Sequence, residues 1–139
     1  MPEGVGYGPQ NTAIPGLNLN YIGNHAWGTS GALVFGTGAD ATLFEFTTGT
    51  AYVVGTFGFG LNHTGLSPNK AFGYKITING EVVFENYDVS DSDGTLNYTG
   101  GAVVQNIVFP SFSTIKIEAI TTDDGDLTGY GIITGRIYK

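Results

Sequence analysis

The sequence predicts an all-β protein: an antiparallel two-sheet jelly-roll sandwich of about eight strands, preceded by an extended N-terminal arm. Thr, Val, Ile, Tyr and Phe dominate the chain, and no long stretch has helical periodicity. Glycine makes up 23 of the 139 residues and interrupts the apolar segments every several residues, as in sandwiches and barrels. This length fits one domain that buries roughly 70% of its unfolded surface.

The first eighteen residues form the predicted arm, and residues 19–139 form the single sandwich domain. Glycines and prolines interrupt every period in the arm, and its apolar residues are sparse. Fully extended, sixteen residues would reach about 50 Å at ~3.3 Å each. The arm is expected to lie on its own sheet, on a sister subunit or on another protein. The residues expected to make that contact are Pro2, Val5, Tyr7, Pro9, Ile14 and Pro15.

The strongest local signal is a hairpin in the segment YKITINGEVVFENY. Tyr74, Ile76 and Ile78 alternate with polar residues, and Asn79-Gly80 supplies the two positive-φ positions of a type I′ turn. A second hairpin is predicted from strands over residues 103–109 and 114–120, with Pro110 between them. Further strands are predicted over residues 19–27, 32–35, 41–47, 52–61 and 129–138.

Antiparallel pairing places alternate connections at opposite ends of a sandwich. The turns at residues 79–80 and 110–111 should therefore share one end. The loops 88–101 and 121–128 should share the other end, and these two loops hold half of the twelve acidic residues.

The charge pattern argues against a nucleic-acid or membrane partner. Charged residues are 12% of the chain, about half the usual ~25%, and the net charge is −7. Nucleic-acid binding requires clustered basic residues, whereas the five here are scattered. No apolar run approaches the ~18 residues that a membrane-spanning helix needs.

The acidic loops are weak candidates for calcium binding, because calcium takes several convergent oxygen ligands. Aligning Gly94 with the glycine of an EF-hand loop puts Val89 at the first ligand position and Gly100 at the terminal glutamate position, so the match fails. Solvated turns are therefore favoured, and we predict no metal or other cofactor. The weak candidates are Asp88, Asp91, Asp93, Asp123, Asp124 and Asp126.

No catalytic set is recognisable, and the sequence predicts a protein that is not an enzyme. Glu45 and Glu118 lie on predicted strands and are the nearest approach to a pair of glycosidase carboxylates. They alternate with Phe44, Phe46 and Ile117, which are assigned to the core, so the two glutamates are expected to face solvent. His25 alternates with Trp27, which suggests a hydrogen-bonded or interface histidine.

Most of the aromatic residues alternate along strands and are expected in the core. Four of them form a candidate glycan platform, since exposed flat rings stack on sugars, although a strand tryptophan is more often a core or interface residue. The four are Trp27, Tyr87, Tyr98 and Tyr130.

Five segments and the opening MPEGVGYG resemble a group of small all-β proteins known mostly from the genomes of uncultured marine tailed phages. The resemblance spans nearly the whole chain, and its motifs are structural. The similar proteins often have Pro-Pro where this chain has Pro110-Ser111, and often end in glycine where it ends Tyr138-Lys139. The segments are LNYIG (19–23), FTTGTAYVVGTF (46–57), ITINGEVVF (76–84), IVFPSFSTIKIEA (107–119) and TGRIY (134–138).

This resemblance implies a capsid decoration or cement protein, a jelly roll that sits as a homotrimer on the outer head surface and contacts the major capsid protein. The implied location is the virion, after synthesis in the host cytoplasm. The alternative is a glycan-binding or host-adhesion module of a tail or fibre.

Overall fold

The computed structural model describes residues 16–17, 19–36, 40–61, 71–89, 103–122 and 127–139, and these residues form strands and turns without a helix. No helix in these ranges is therefore available to cross a membrane. The strands are β1 (Gly16–Leu17), β2 (Leu19–Ile22), β3 (His25–Thr29), β4 (Leu33–Phe35), β5 (Ala41–Thr47), β6 (Tyr52–Leu61), β7 (Ala71–Ile78), β8 (Glu81–Val89), β9 (Val103–Phe109), β10 (Thr114–Thr121) and β11 (Leu127–Tyr138).

Two antiparallel sheets pack face to face, which confirms the predicted sandwich. Sheet I has the order β1-β5-β10-β7-β8, and sheet II has the order β2-β3-β11-β6-β9 with β4 paired to the end of β11. Without the short strands β1, β2 and β4, sheet II has the order β3-β11-β6-β9 and sheet I has the order β5-β10-β7-β8. When these eight strands are numbered along the chain, the two orders are 1-8-3-6 and 2-7-4-5. This is jelly-roll connectivity.

The core lies between the sheets and consists mainly of phenylalanine rings. Phe57 of sheet II packs edge-on against Phe44 and Tyr74 of sheet I, with ring centroids 6.2 and 4.8 Å apart. Glycines on the inner side of β11 make room for these rings. A Cβ on Gly131 would lie 2.9 Å from the Phe57 ring, so a larger residue would displace the ring.

The hairpin at Asn79-Gly80 is confirmed. Asn79 and Gly80 have φ values of 54° and 85°, as a type I′ turn requires. Ile78 pairs with Glu81 across the turn. The Asn79 amide donates to the Thr114 carbonyl at 2.9 Å, so this turn and the connection after Pro110 share one end of the sandwich, as predicted.

The predicted hairpin between residues 103–109 and 114–120 is wrong. β9 pairs with β6 in sheet II, whereas β10 pairs with β5 and β7 in sheet I, so the chain changes sheets after Pro110. Buried Thr48 fixes this corner: its hydroxyl donates to the Pro110 carbonyl at 2.5 Å and accepts from the Ser113 amide at 2.9 Å. Phe109 consequently reaches Phe46 of the opposite sheet, at 5.2 Å between ring centroids.

The N-terminal part of the sandwich also differs from the prediction. Residues 19–27 were expected as one strand but form the hairpin β2–β3, with Ile22 opposite His25 and Gly23 at φ 60° in the two-residue turn. β1 lies inside the predicted arm, and Gly16 pairs with Phe46 of β5. Paired structure thus begins earlier than Leu19.

Candidate functional site

The two outer faces of the sandwich differ sharply in charge. The strands of sheet II contain no acidic residue and a single permanent charge, that of Arg136. The antiparallel pleat turns every second side chain of these strands outward. One face is therefore almost uncharged, whereas the other carries both signs. The charged residues in the strands of sheet I are Glu45, Lys75, Glu81, Glu85, Asp88, Lys116 and Glu118.

At the centre of sheet I, one glutamate is paired with two lysines. Glu118 lies between two lysines, with 3.8 Å from its Oε1 to Lys75 Nζ and 3.5 Å from its Oε2 to Lys116 Nζ. Glu45 lies opposite Lys116 in the register of β5 and β10 and is exposed. The two glutamates weighed as glycosidase carboxylates thus sit among lysines on an outer face, and the core assignment of Phe44, Phe46 and Ile117 is confirmed.

The outer face of sheet II exposes large apolar side chains, and we call it the apolar face. Ile22 and Val108 are each more than half exposed. Exposed apolar side chains grouped on one face of a small domain mark an interaction site more often than isolated exposed residues do. The large apolar side chains exposed on this face are Ile22, Trp27, Val34, Tyr52, Val54, Val108, Ile132 and Tyr138.

An open groove of about 630 Å³ crosses the apolar face. Such a volume lies within the ~300–1,000 Å³ range of ligand-sized sites. The strand register builds the groove from neighbouring positions: His25 lies opposite Arg136, Arg136 opposite Val54, and Val54 opposite Val108. The next row places Thr134, Thr56 and Asn106 side by side. The groove therefore combines apolar walls, neutral polar groups and one cationic end.

A pair of glycines forms part of the groove. Gly55 and Gly135 are opposite each other in β6 and β11. Their backbones approach so closely that a Cβ on Gly55 would lie 2.6 Å from the Thr134 carbonyl oxygen. The two strands can keep this approach only while both positions lack a side chain.

Arg136 is the cation of the groove without an acidic partner among the described residues. Its guanidinium carbon lies 5.9 Å from the centroid of the Tyr138 ring, and Tyr138 stacks on Tyr52 at 5.3 Å. The lysines of sheet I, by contrast, both contact Glu118. The stacked tyrosines thus support a guanidinium that is free to meet a carboxylate from outside.

The structure does not bring the four glycan-platform residues together. Trp27 lies on β3 of sheet II, is 38% exposed and pairs with Thr134 beside the groove. Tyr130 pairs with Gly60, and its ring occupies the space where a Gly60 side chain would be. Tyr87 is in β8 of the other sheet, and Tyr98 lies outside the described residues.

Most other predicted site residues lie outside the described ranges. They include the six arm residues and five of the six candidate calcium ligands, while Asp88 is placed near the end of β8. Across the ranges that are described, no three acidic or histidine side chains cluster as metal ligands.

Sequence reasoning missed the groove. His25, Val54, Asn106 and Arg136 belong to four different strands, so only the register of the sheet makes them neighbours. The available signal was the lack of acidic residues in every sheet II segment. No protein-family model, curated protein sequence or solved structure matches the chain.

Proposed function

We propose that this protein is a capsid decoration, or cement, protein of a virus, which binds the outer head surface as a trimer. The observation that supports this most strongly is the apolar face of sheet II beside the ion-paired face of sheet I. An almost uncharged sheet face buries readily against another protein, whereas the ion-paired group Lys75, Lys116 and Glu118 of sheet I is better left in water. The sandwich thus offers the apolar face for association, while the centre of sheet I stays in solvent.

Phe112 provides a second apolar contact, at one end of the sandwich. It is 74% exposed and adopts φ 53°, a left-handed conformation that bulky residues rarely take. Its amide donates to the Gly49 carbonyl at 2.8 Å, which holds the turn in place. A large ring on a fixed, exposed turn is suited to a partner's pocket.

The proposed shell contact is the N-terminal arm, with Pro2, Val5, Tyr7, Pro9, Ile14 and Pro15 touching the major capsid protein. β1 lies near the end of the arm and forms the edge of sheet I, beside β5. The apolar face belongs to the other sheet. Shell binding through the arm and subunit association through the apolar face are therefore compatible in one molecule.

The proposed stabilisation of the shell follows from the coupling between binding and assembly. A protein that binds only the assembled shell stabilises it by mass action. Three copies joined in one trimer present three arms at high effective concentration, so weak individual contacts give tight attachment. No catalytic group is required for this role.

Co-sedimentation with heads that lack the protein tests the proposal. The heads are those assembled from the major capsid protein of the genome that encodes this chain. Full-length protein should pellet saturably, and a chain lacking residues 1–15 should bind at least about tenfold more weakly. Protein that stays in the supernatant at every concentration would contradict the proposal. Equal binding of both forms would show that the arm is not the shell contact.

Glycan binding is the second candidate, favoured by exposed Trp27 next to Thr134 at the groove. An indole face beside hydroxyl and amide groups suits a sugar ring. A glycan array comparing the natural chain with Trp27→Ala tests this role. Phe112→Ala, at an exposed aromatic residue on the end of the sandwich, is the control. Binding that is lost only in Trp27→Ala would support the role, and an array without signal would remove it.

A further inference from the structure

We propose that the groove on the apolar face binds the first half of β8 from a second copy of this chain, giving a head-to-tail contact. The inference rests on the association role proposed above for that face. It identifies both surfaces of the contact: the groove with Arg136, and the segment Glu81–Glu85. Charge and exposure on each surface support it.

The β8 segment is an exposed strand at the edge of sheet I. Among the described residues, β8 pairs with β7 on one side and with nothing on the other. A register shift opposite Ile76 and Thr77 leaves Val83 as the extra residue, because Phe84 pairs with Ile76 and Val82 with Thr77. Val82 and Val83 are consequently both 53% exposed, which regular alternation would not allow.

Two carboxylates flank these valines. Glu81 and Glu85 are exposed, and neither forms an ion pair with a described residue. Lys75 lies opposite Glu85 in register, but its ammonium group contacts Glu118. The segment therefore presents apolar side chains bracketed by unneutralised negative charge.

The groove carries side chains that complement the valines and carboxylates of the β8 segment. Val54 and Val108 are 41% and 51% exposed, and Arg136 stands in the same row without a described acidic partner. The valines of β8 would bury against Val54 and Val108, while Glu85 would meet the Arg136 guanidinium. An arginine–carboxylate pair surrounded by apolar contacts is a strong and directional interaction.

Charge also disfavours the symmetric alternatives. Packing the apolar face on its own symmetry mate would bring Arg136 towards another Arg136 across strands that contain no carboxylate. Pairing β8 with another β8 would bring Glu81 and Glu85 against the same acids. Like charges facing each other across an interface are costly. The head-to-tail contact is the arrangement in which opposite charges meet.

The two surfaces of one copy cannot meet each other, because they belong to opposite sheets with the core between them. Each copy therefore uses its groove for one neighbour and its β8 for another. Such a contact is heterologous, and it closes into a ring when the rotation between copies permits.

Charge reversal tests the contact by sedimentation equilibrium of the full chain at low salt. The natural protein should be associated at about 100 µM. Arg136→Glu and Glu85→Arg should each raise the dissociation constant about tenfold or more. A chain carrying both substitutions should recover association. Lys116→Glu and Glu45→Arg are matched controls on the outer face of sheet I, and both should associate like the natural protein.

Mixing the two single variants is the sharper test. Each alone presents like charges at every contact, whereas in the mixture every contact between unlike chains is again complementary. We expect association only on mixing, through alternation of the two chains. A closed ring of three cannot alternate, so the mixture should form pairs or open assemblies with about equal numbers of the two chains rather than closed trimers. Circular dichroism of each variant verifies folding before the measurement.

A natural protein that is monomeric at about 100 µM would overturn the inference, as would association unaffected by either reversal or not recovered in the double variant. This assay contains no heads. Self-association without head binding would reject only the decoration role. Head binding by a monomer would reject this contact and the trimer, but not attachment to the head.

Discussion

Gly55 and Gly135 lie opposite each other in the central strands of sheet II, close enough that a Cβ on Gly135 would be 2.9 Å from the Cα of Gly55. The clash partners are backbone atoms, which cannot move aside as the end of a side chain can. The groove and the pairing of β6 with β11 thus depend on the same two residues.

Gly55→Ala should therefore lower the free energy of unfolding by about 1–3 kcal/mol, because the added methyl group forces the two strands apart. Thr134→Ala is the control, because Thr134 is exposed and precedes Gly135 in β11. It should change the free energy of unfolding by less than about 0.5 kcal/mol. Urea denaturation measures both. Equal stability of Gly55→Ala and the natural protein would show that the close approach is not required.

Asn79 stabilises its turn in two ways that substitutions can separate. Its positive φ favours asparagine or glycine, and its Oδ1 accepts a hydrogen bond from the Thr114 amide at 2.9 Å. The Asn79 Nδ2 also donates to Ser113 Oγ at 3.4 Å. Asn79→Gly should lose about 0.5–1.5 kcal/mol with these side-chain hydrogen bonds, and Asn79→Ala about 1 kcal/mol more from backbone strain. If alanine and glycine are equally destabilising in thermal unfolding, the strain argument fails.

The Tyr74 hydroxyl is buried among core rings without a hydrogen-bond partner in the described part of the chain. Tyr74→Phe removes this unsatisfied group and keeps the ring. It should leave stability unchanged or raise it by about 1 kcal/mol at neutral pH. A loss above about 1 kcal/mol in urea denaturation would mean that the hydroxyl has a partner.

The same hydroxyl predicts a pH dependence. Burial raises the pKa of Tyr74 above its ordinary value of 10.0. The side chain of Asn86, which lies near the hydroxyl without meeting hydrogen-bond geometry, offsets part of the rise. The unfolded chain therefore releases this proton at a lower pH than the folded chain. The contribution to stability is complete below pH 10 and is lost as the pH rises beyond it.

Denaturation midpoints measured from pH 8 to 11 should thus fall less steeply in Tyr74→Phe than in the natural protein above about pH 10. The comparison cancels the titration of the other tyrosines and of the lysines. Parallel curves for the two proteins would contradict a raised pKa.

Phe112 should lower the free energy of unfolding rather than raise it. Its ring is mostly exposed, and its φ of 53° is strained for a bulky residue. Phe112→Gly should therefore raise the free energy of unfolding by up to about 1 kcal/mol, since it relieves the left-handed strain. Marked destabilisation in thermal unfolding would instead assign the ring to packing within the molecule.

Much of the fold could be predicted because alternation and turn chemistry are local signals. The bounds of β5, β6 and β9 match the predicted strands, and Asn79-Gly80 forms its turn as expected. The pairing of the strands could not be predicted from these local signals. Phe109 and Ile115 both point inward, which fits a hairpin within one sheet as well as a crossing between two, and Thr48, far away in sequence, fixes the crossing.

The candidate site was harder to predict for the same reason. Alternation indicates that His25 and Arg136 face outward, but not that they are neighbours. The bulge that exposes both Val82 and Val83 breaks the alternation itself. Trp27 could be singled out as a candidate from its residue type alone, whereas the groove beside it depends on the register of the strands.

Stabilisation of the shell tests the decoration role most directly. Heads lacking the protein, with packaged DNA, are heated with and without saturating full-length chain, and a dye reports the temperature at which DNA becomes accessible. The account predicts a higher rupture temperature with the protein, rising with its free concentration as mass action requires. An unchanged rupture temperature at saturating protein would contradict it.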